Sequence, residues 1–240
     1  MPAVVSRLWF VWSMAWTALF SVLMILPGWA AYLLRPTTRR YWRWMRAWSR
    51  LVMGTAGHRL AVTGEAPDGP AVYVANHQGM VDIPAVLRAI PRPILFLSRI
   101  TMRRLPIVST VLTHSRNVFV DFDAPEAGLA EAAARLAEGE SLFIWPEGTR
   151  NYGGPVRRFL PGAFQLAVGA GLPVVPVAID GSTRVMEEHQ MRSRPGLVRV
   201  HILPALTGDE PADLSRRARA AIVAALPPPS DRSNGRSRTR

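Results

Sequence analysis

Between Arg7 and Arg35 the chain carries no charged residue, and this run limits what its N-terminus can become. Residues 8–26 alone supply the ~20 apolar positions that a bilayer-spanning helix needs. Pro27-Gly28 is expected to interrupt that helix, since proline removes a backbone donor and glycine weakens a helix interior. A secretory signal peptide is one alternative, with Arg7 as its basic end and Trp29-Ala30-Ala31 as a rough cleavage site. Its apolar core would exceed the usual ~7–15 residues. A buried core helix is another, and the tryptophans at positions 9, 12, 16 and 29 speak against it.

The adjoining stretch is basic and aromatic together. Arg39, Arg40, Arg43, Arg46 and Arg50 alternate with Tyr41, Trp42, Trp44 and Trp48. On a helix this spacing lines guanidinium groups along one face with indoles beside them, a mixture suited to the headgroup layer of a membrane. A solvated basic helix that packs its tryptophans into a core is the competing arrangement. Arginines after the apolar run predict that the rest of the chain is cytoplasmic, by the positive-inside rule. Whether the first helix crosses the bilayer or dips into one leaflet is left open.

Composition narrows the chemistry. The chain has 29 basic and 17 acidic residues, a net charge of +12, and every basic residue is arginine. Without lysine there is no P-loop lysine, no Schiff base and no lysine nucleophile. Without cysteine there is no thiol nucleophile, disulfide or thiolate metal site. His58, His114, His189 and His201 show no ligand spacing, so no metal is expected. A charge of this size calls for a polyanionic neighbour. A nucleic-acid binder would carry its basic and aromatic residues on a soluble platform. Here they come after an apolar helix, so the expected partner is an anionic membrane surface and not nucleic acid.

Beyond residue 58, strand-like runs at 59–63, 71–75, 93–97, 117–121, 141–145, 174–179 and 198–203 alternate with helical patterns at 83–90, 125–138 and 162–169. That order predicts an α/β fold, a mostly parallel mixed sheet flanked by helices, preceded by the hydrophobic, membrane-associating helical segment. A last helix is expected at 212–226, stopped by Pro227-Pro228-Pro229. The predicted units are membrane-associated helices over 1–58, a catalytic domain over 59–226 and a basic disordered tail over 227–240.

Two stretches carry chemistry. In the first, an apolar strand runs out into Asn76-His77-Gln78-Gly79, with Asp82 at the start of a helix. A histidine where a strand hands over to a loop can take a proton from a hydroxyl, and a carboxylate close by can fix its tautomer. Asp82 ahead of Pro84 also fits an ordinary helix cap. The second stretch, Trp145-Pro146-Glu147-Gly148-Thr149-Arg150, again ends a strand. Arg150 offers a planar fork for phosphate or carboxylate, and Gly148 permits close approach of a ligand. Glu147 would receive a substrate hydroxyl, position Arg150, or form a local ion pair with it.

The pair of motifs N-H-x-x-x-x-D and P-E-G-T-R, in this order and each after a strand, resembles the glycerolipid acyltransferases, specifically the 1-acylglycerol-3-phosphate acyltransferases. Arg99 with Pro106, and Val175-Pro176-Val177-Ala178-Ile179, match two weaker blocks of that family, and the resemblance covers about residues 60–180. It implies that His77 is the base and Asp82 its partner. It also implies that Arg99 and Arg150 hold the acceptor's phosphate, with Glu147, Gly148 and Thr149 completing the pocket. The substrates would be a lysophospholipid acceptor and acyl-CoA or acyl-carrier protein as donor, with no cofactor. The location would be the cytoplasmic face of a membrane, the inner membrane in a bacterium. Direct attack on the thioester, as in the family, agrees with a chain that has no cysteine and no G-x-S-x-G elbow.

The chain departs from the pattern in two stretches. Phe122 stands where relatives carry Arg, with Arg116 in place of a Gly before it, and Leu160 stands where relatives often carry Lys. Arg157, Arg158, Arg103 and Arg104 are candidates to compensate. The departures make another lysolipid acceptor, such as a lyso-ornithine lipid or a substituted lysophospholipid, the alternative substrate. A non-catalytic protein that binds anionic membranes is the alternative outside enzymes.

Overall fold

The structure is a computed structural model and describes residues 1–33, 38–104 and 116–228. Pro106, His114 and the tail from Pro229 onward lie outside the described residues. The main strands are β1 (His58–Thr63), β2 (Val72–Ala75), β3 (Leu95–Arg99), β4 (Val118–Val120), β5 (Leu142–Ile144), β6 (Val174–Asp180) and β9 (Gly196–Ile202). These seven form one sheet in the order β1-β9-β6-β2-β5-β3-β4. Five run parallel to one another, from β6 to β4. β9 is antiparallel to β6, and β1 is parallel to β9. The sheet is thus mixed and mostly parallel, as the alternating pattern predicts. A small antiparallel pair, β7 (Met186–Glu187) with β8 (Arg192–Ser193), was not legible in the sequence, because two-residue strands leave no periodic signal.

The central strands are continuous apolar runs because both faces of the sheet are covered. On one face Tyr73, Ala75, Phe96, Phe143 and Val177 pack with helix α3 (Asp82–Ala89) and with Trp42 and Met53 of helix α2 (Thr38–Thr55). On the other, Val72, Val74, Leu142 and Ala178 pack with α4 (Glu126–Ala137), α5 (Gly162–Gly169) and the last helix, α7 (Pro211–Ala225). A single helical turn, α6 (Ser182–Val185), comes after β6. β3 begins two residues later than the pattern suggests. Pro93 has no N–H for a ladder, and the first bond is Leu95 N–H to the Ser141 carbonyl.

The first helix, α1 (Ala3–Leu33), continues through Pro27-Gly28, where an interruption was expected. A proline removes one intrahelical bond, and where no water can take over the remaining groups, keeping the helix leaves the fewest of them unpaired. α1 lies antiparallel on α2: Trp9 donates to the Ala56 carbonyl at 3.0 Å and Trp48 donates to Ser21 Oγ at 3.2 Å. Its hydroxyls are satisfied within the helix, as Ser13 and Thr17 donate to the carbonyls of Trp9 and Ser13. Its other face presents Val4, Leu8, Val11, Trp12, Leu19, Val22 and Leu23 outward. Only 11% of its most apolar stretch is buried, so α1 is not a core helix. On α2 the indoles divide: Trp42 is buried in the core and Trp48 packs against it, while Arg39, Arg40, Arg43 and Arg50 are exposed. The tryptophans of α2 therefore adopt the core-packing arrangement more than the headgroup one.

Candidate functional site

Because the five central strands are parallel, their C-terminal ends open at one edge, and the two motifs meet there. β2 and β5 are direct neighbours, with Val74 opposite Ile144, so the loops beyond them touch. Asn76 extends the pairing with β6: its amide donates to the Ile179 carbonyl at 2.8 Å and accepts from the Ile179 N–H at 2.8 Å. That clamp brings His77 out at a defined point.

His77 Nδ1 lies 2.8 Å from Asp82 Oδ2. The same oxygen accepts the backbone N–H groups of Gln78 at 2.6 Å and Gly79 at 2.9 Å. Asp82 is fully buried at the first turn of α3 and makes no capping bond there, so the cap expected of it is absent. A carboxylate oxygen ringed by three donors acts as an acceptor, which puts the proton on Nδ1 and leaves Nε2 with its lone pair free. The imidazole stacks on Trp145, with centroids 4.5 Å apart, and Trp145 stacks in turn on Phe96 at 5.5 Å. Trp145 stands one residue before the P-E-G-T-R motif, and sequence reasoning assigned it no role.

Glu147 is placed differently from expectation. It is buried, and both oxygens are taken up by its own chain. Oε1 accepts the His77 backbone N–H at 2.9 Å, Oε2 accepts the Arg157 N–H at 2.9 Å, and the Asn151 amide donates to both. A carboxylate so occupied has no lone pair aimed at a substrate. Its work is to tie the loop after β5 to His77, helped by Asn151, whose N–H donates to the His77 carbonyl at 2.7 Å. Gly148 has φ +69, a conformation glycine reaches without a steric penalty, and its N–H closes a turn onto the Trp145 carbonyl. Thr149 is exposed.

Arg150 pairs with Glu188, not with Glu147, and lies over the Tyr152 ring at 5.7 Å. Glu188 also accepts the Met80 N–H, in the loop between His77 and Asp82. A Cβ at Gly79 would stand 2.8 Å from Glu188 Oε1, the movable end of that side chain, so a larger residue there would displace the Glu188 carboxylate. Nothing in the sequence tied Glu188 to either motif. Arg99, the last residue of β3, is exposed with its guanidinium 4.7 Å from the centre of the Phe122 ring.

The two departures from the family pattern come together. A Cβ at Gly148 would meet Leu160 at 3.0 Å and Phe122 at 3.4 Å. The wall beside Gly148 is therefore apolar where relatives carry cations. Arg116, in place of the relatives' Gly, adopts φ +59 and pairs with Glu138 and Glu140, ahead of β4. Of the candidate compensating arginines, Arg103 stacks on Phe119 at 4.5 Å. On the α1 side of the His77 loop, an apolar cavity of about 280 Å³ is lined by Met14, Thr17, Trp48, Met80, Val81 and Met186, among others. Among the described residues no group of three or more His, Asp or Glu could hold a metal ion.

A family model described as Acyltransferase matches residues 59–180. A 1-acyl-sn-glycerol-3-phosphate acyltransferase of Chlamydomonas reinhardtii is 35% identical over 167 residues, 68% of this chain and 50% of that protein. A lyso-ornithine lipid O-acyltransferase of Pseudomonas aeruginosa is 29% identical over 211 residues, 80% of each protein. The chain thus spans about half the length of the algal relative and most of the Pseudomonas one. The crystal structure of the 1-acyl-sn-glycerophosphate (LPA) acyltransferase PlsC from Thermotoga maritima matches with a TM-score of 0.81, over 93% of this chain and 95% of that one. At 22% identity that likeness is one of fold.

Proposed function

The chain belongs to the acyltransferase family, and on that premise we propose that it moves a fatty acyl group from acyl-CoA or acyl-carrier protein to the free hydroxyl of 1-acylglycerol-3-phosphate, giving phosphatidic acid. The observation that carries this reading is the His77–Asp82 pair, 2.8 Å apart, with Nε2 free. In the proposed reaction Nε2 takes the acceptor's hydroxyl proton as the oxygen attacks the thioester carbonyl. The tetrahedral intermediate collapses by breaking the C–S bond, and the departing thiolate takes the proton back from Nε2. The buried Asp82 stabilises the transient imidazolium. The apolar cavity beside Met80 suits an acyl chain. The outward apolar face of α1 would sit in the bilayer, with the sheet on the cytoplasmic side.

Arg150 and Arg99 are the proposed phosphate ligands. A second acceptor class is favoured by a specific feature: Phe122 and Leu160 make the wall beside Gly148 apolar, and Arg150 already has Glu188 as its partner. Both weaken a claim to a compact phosphate headgroup and favour a larger lysolipid, such as the lyso-ornithine lipid on which the Pseudomonas relative acts by name. The test is acyl transfer by the purified full chain in detergent, with lysophosphatidic acid, lysophosphatidylcholine and lyso-ornithine lipid offered in parallel. Transfer to lysophosphatidic acid above the others is the expected result. Preference for lyso-ornithine lipid would replace the acceptor and keep the reaction. Thioester hydrolysis with transfer to none of them would overturn the proposal.

A further inference from the structure

At the edge of the sheet opposite His77, an open cleft of about 710 Å³ lies between the first half of α2 and the loops at 68–70, 91–93 and 139–141. Those loops feed β2, β3 and β5, whereas His77, Arg99 and Trp145 lie at or just beyond the other ends of the same parallel strands. One face of α2 lines the cleft with Arg39, Arg43 and Arg46, and Arg92 faces them from the loop before β3.

These arginines are not balanced by acids. α2 contains no Asp or Glu. The two carboxylates that line the cleft are already engaged, Asp68 by Arg92 and Glu140 by Arg116. Arg39 and Arg43 make no ion pair among the described residues. Arg46 donates to the Arg88 carbonyl at 3.1 Å and the Pro91 carbonyl at 3.4 Å, yet its Nε is buried without a partner. Burial, and then the charges of Arg50 and Arg88, hold the Arg46 guanidinium below its ordinary pKa. Trp42 also lines the cleft, is 4% exposed, and its indole N–H has no partner. Both orphan donors are closed off from the cleft itself, so it is the exposed Arg39 and Arg43 guanidinium groups, with no acid to pair with, that offer a place to an acceptor-rich anion. A phosphate fits, because its oxygens can accept from several guanidinium forks at once.

We propose that this cleft binds a phosphate group, carried by an anionic phospholipid headgroup or by a soluble phosphorylated molecule, at a site separate from that of acyl transfer. The exposed apolar face of α1 would bring a bilayer alongside α2, within reach of the cleft. The test is titration calorimetry on the full chain in detergent, in an Arg150→Ala background that removes one of the two candidate phosphate ligands of the acceptor site. The probes are inorganic phosphate, dihexanoyl phosphatidylglycerol and the phosphate-free dihexanoylglycerol.

The expected result is binding of at least one phosphate-bearing probe, none of dihexanoylglycerol, and at least a tenfold loss in Arg39→Gln/Arg43→Gln. Equal binding of the two phosphate probes assigns a soluble source, and binding of the phosphatidylglycerol alone assigns a lipid one. With Arg150 intact, the double arginine variant should transfer acyl groups in detergent within twofold of wild type, whatever the acceptor proves to be. No binding of either phosphate probe, or binding unchanged in Arg39→Gln/Arg43→Gln, overturns the proposal. A matching loss of acyl transfer would overturn the separateness of the two sites.

Discussion

His77 and Arg150 both stand just past the end of a central parallel strand, yet they are held in opposite ways. His77 is fixed by three groups of its own chain: the buried Asp82 on its ring, the buried Glu147 on its backbone N–H and the half-buried Trp145 on its face. Arg150 is 37% exposed and held by one ion pair with Glu188. Several interlocking bonds to one residue hold one geometry, whereas a half-exposed pair exchanges partners at little cost. His77 is thus preset for the proton transfer proposed for it, while the side proposed for the acceptor can be rearranged by the ligand that arrives.

The largest effect should come from the fixed side. His77→Ala is expected to lower kcat by about 10²–10⁴-fold, the usual worth of a general base, with acceptor KM little changed. Steady-state kinetics in detergent check this, and more than a tenth of wild-type turnover would remove His77 from its role. Asp82→Asn comes next, at about 10²-fold in kcat with a melting temperature near that of wild type, because an amide oxygen can still accept the Gln78 and Gly79 N–H groups. A fall in melting temperature without a fall in turnover would show that Asp82 serves the loop alone.

A third test sets His77 against a histidine buried without an acid. His58 has only the distant Ser193 hydroxyl as a partner, and burial lowers its pKa to about 4. The unfolded chain binds that proton near pH 6.5 and the folded one does not. Stability should therefore fall between pH 6.5 and about 4 and lose no more to this group below that, about 3 kcal/mol in all. Denaturant unfolding across that range should show the slope, and His58→Gln should flatten it.

The smallest effects belong to the adjustable side. Arg150→Ala should raise KM for a phosphate-bearing acceptor about tenfold, equivalent to ~1.4 kcal/mol, and leave KM for the thioester unchanged. Glu188→Gln keeps a carbonyl for the Met80 N–H but frees Arg150 from its acid. It should shift preference toward lysophosphatidic acid over a neutral lysolipid by about threefold, within the range of a half-exposed ion pair. If Glu188→Gln instead abolishes turnover, the contrast between a fixed and an adjustable side is wrong.

Most of the architecture was legible before the fold was known. The five central strands are short apolar runs between turn residues, and burial on both faces demands such runs whatever the partners are, while β1 and β9 are partly exposed. His77 and Asp82 were legible as a pair because they are near in the chain, so one strand end and one helix start bring them together. The apolar run of α1 likewise announces itself by length and absence of charge.

The sequence could not carry whatever depends on strand order and on the direction in which a side chain is buried. Glu147 serves His77 because β5 lies beside β2, a neighbour relation that spacing along the chain does not encode. Glu188 reaches Arg150 and Met80 only because the segment after β6 folds back over the site. Phe122 and Leu160 were visible as departures, but their meeting at Gly148 required the sheet edge and the loop after β5 in their final places. The indoles of α2 turn inward because α1 and α3 pack on that helix from two sides. Periodicity shows that a helix has an aromatic face, and only the surrounding layers decide whether that face meets protein or lipid.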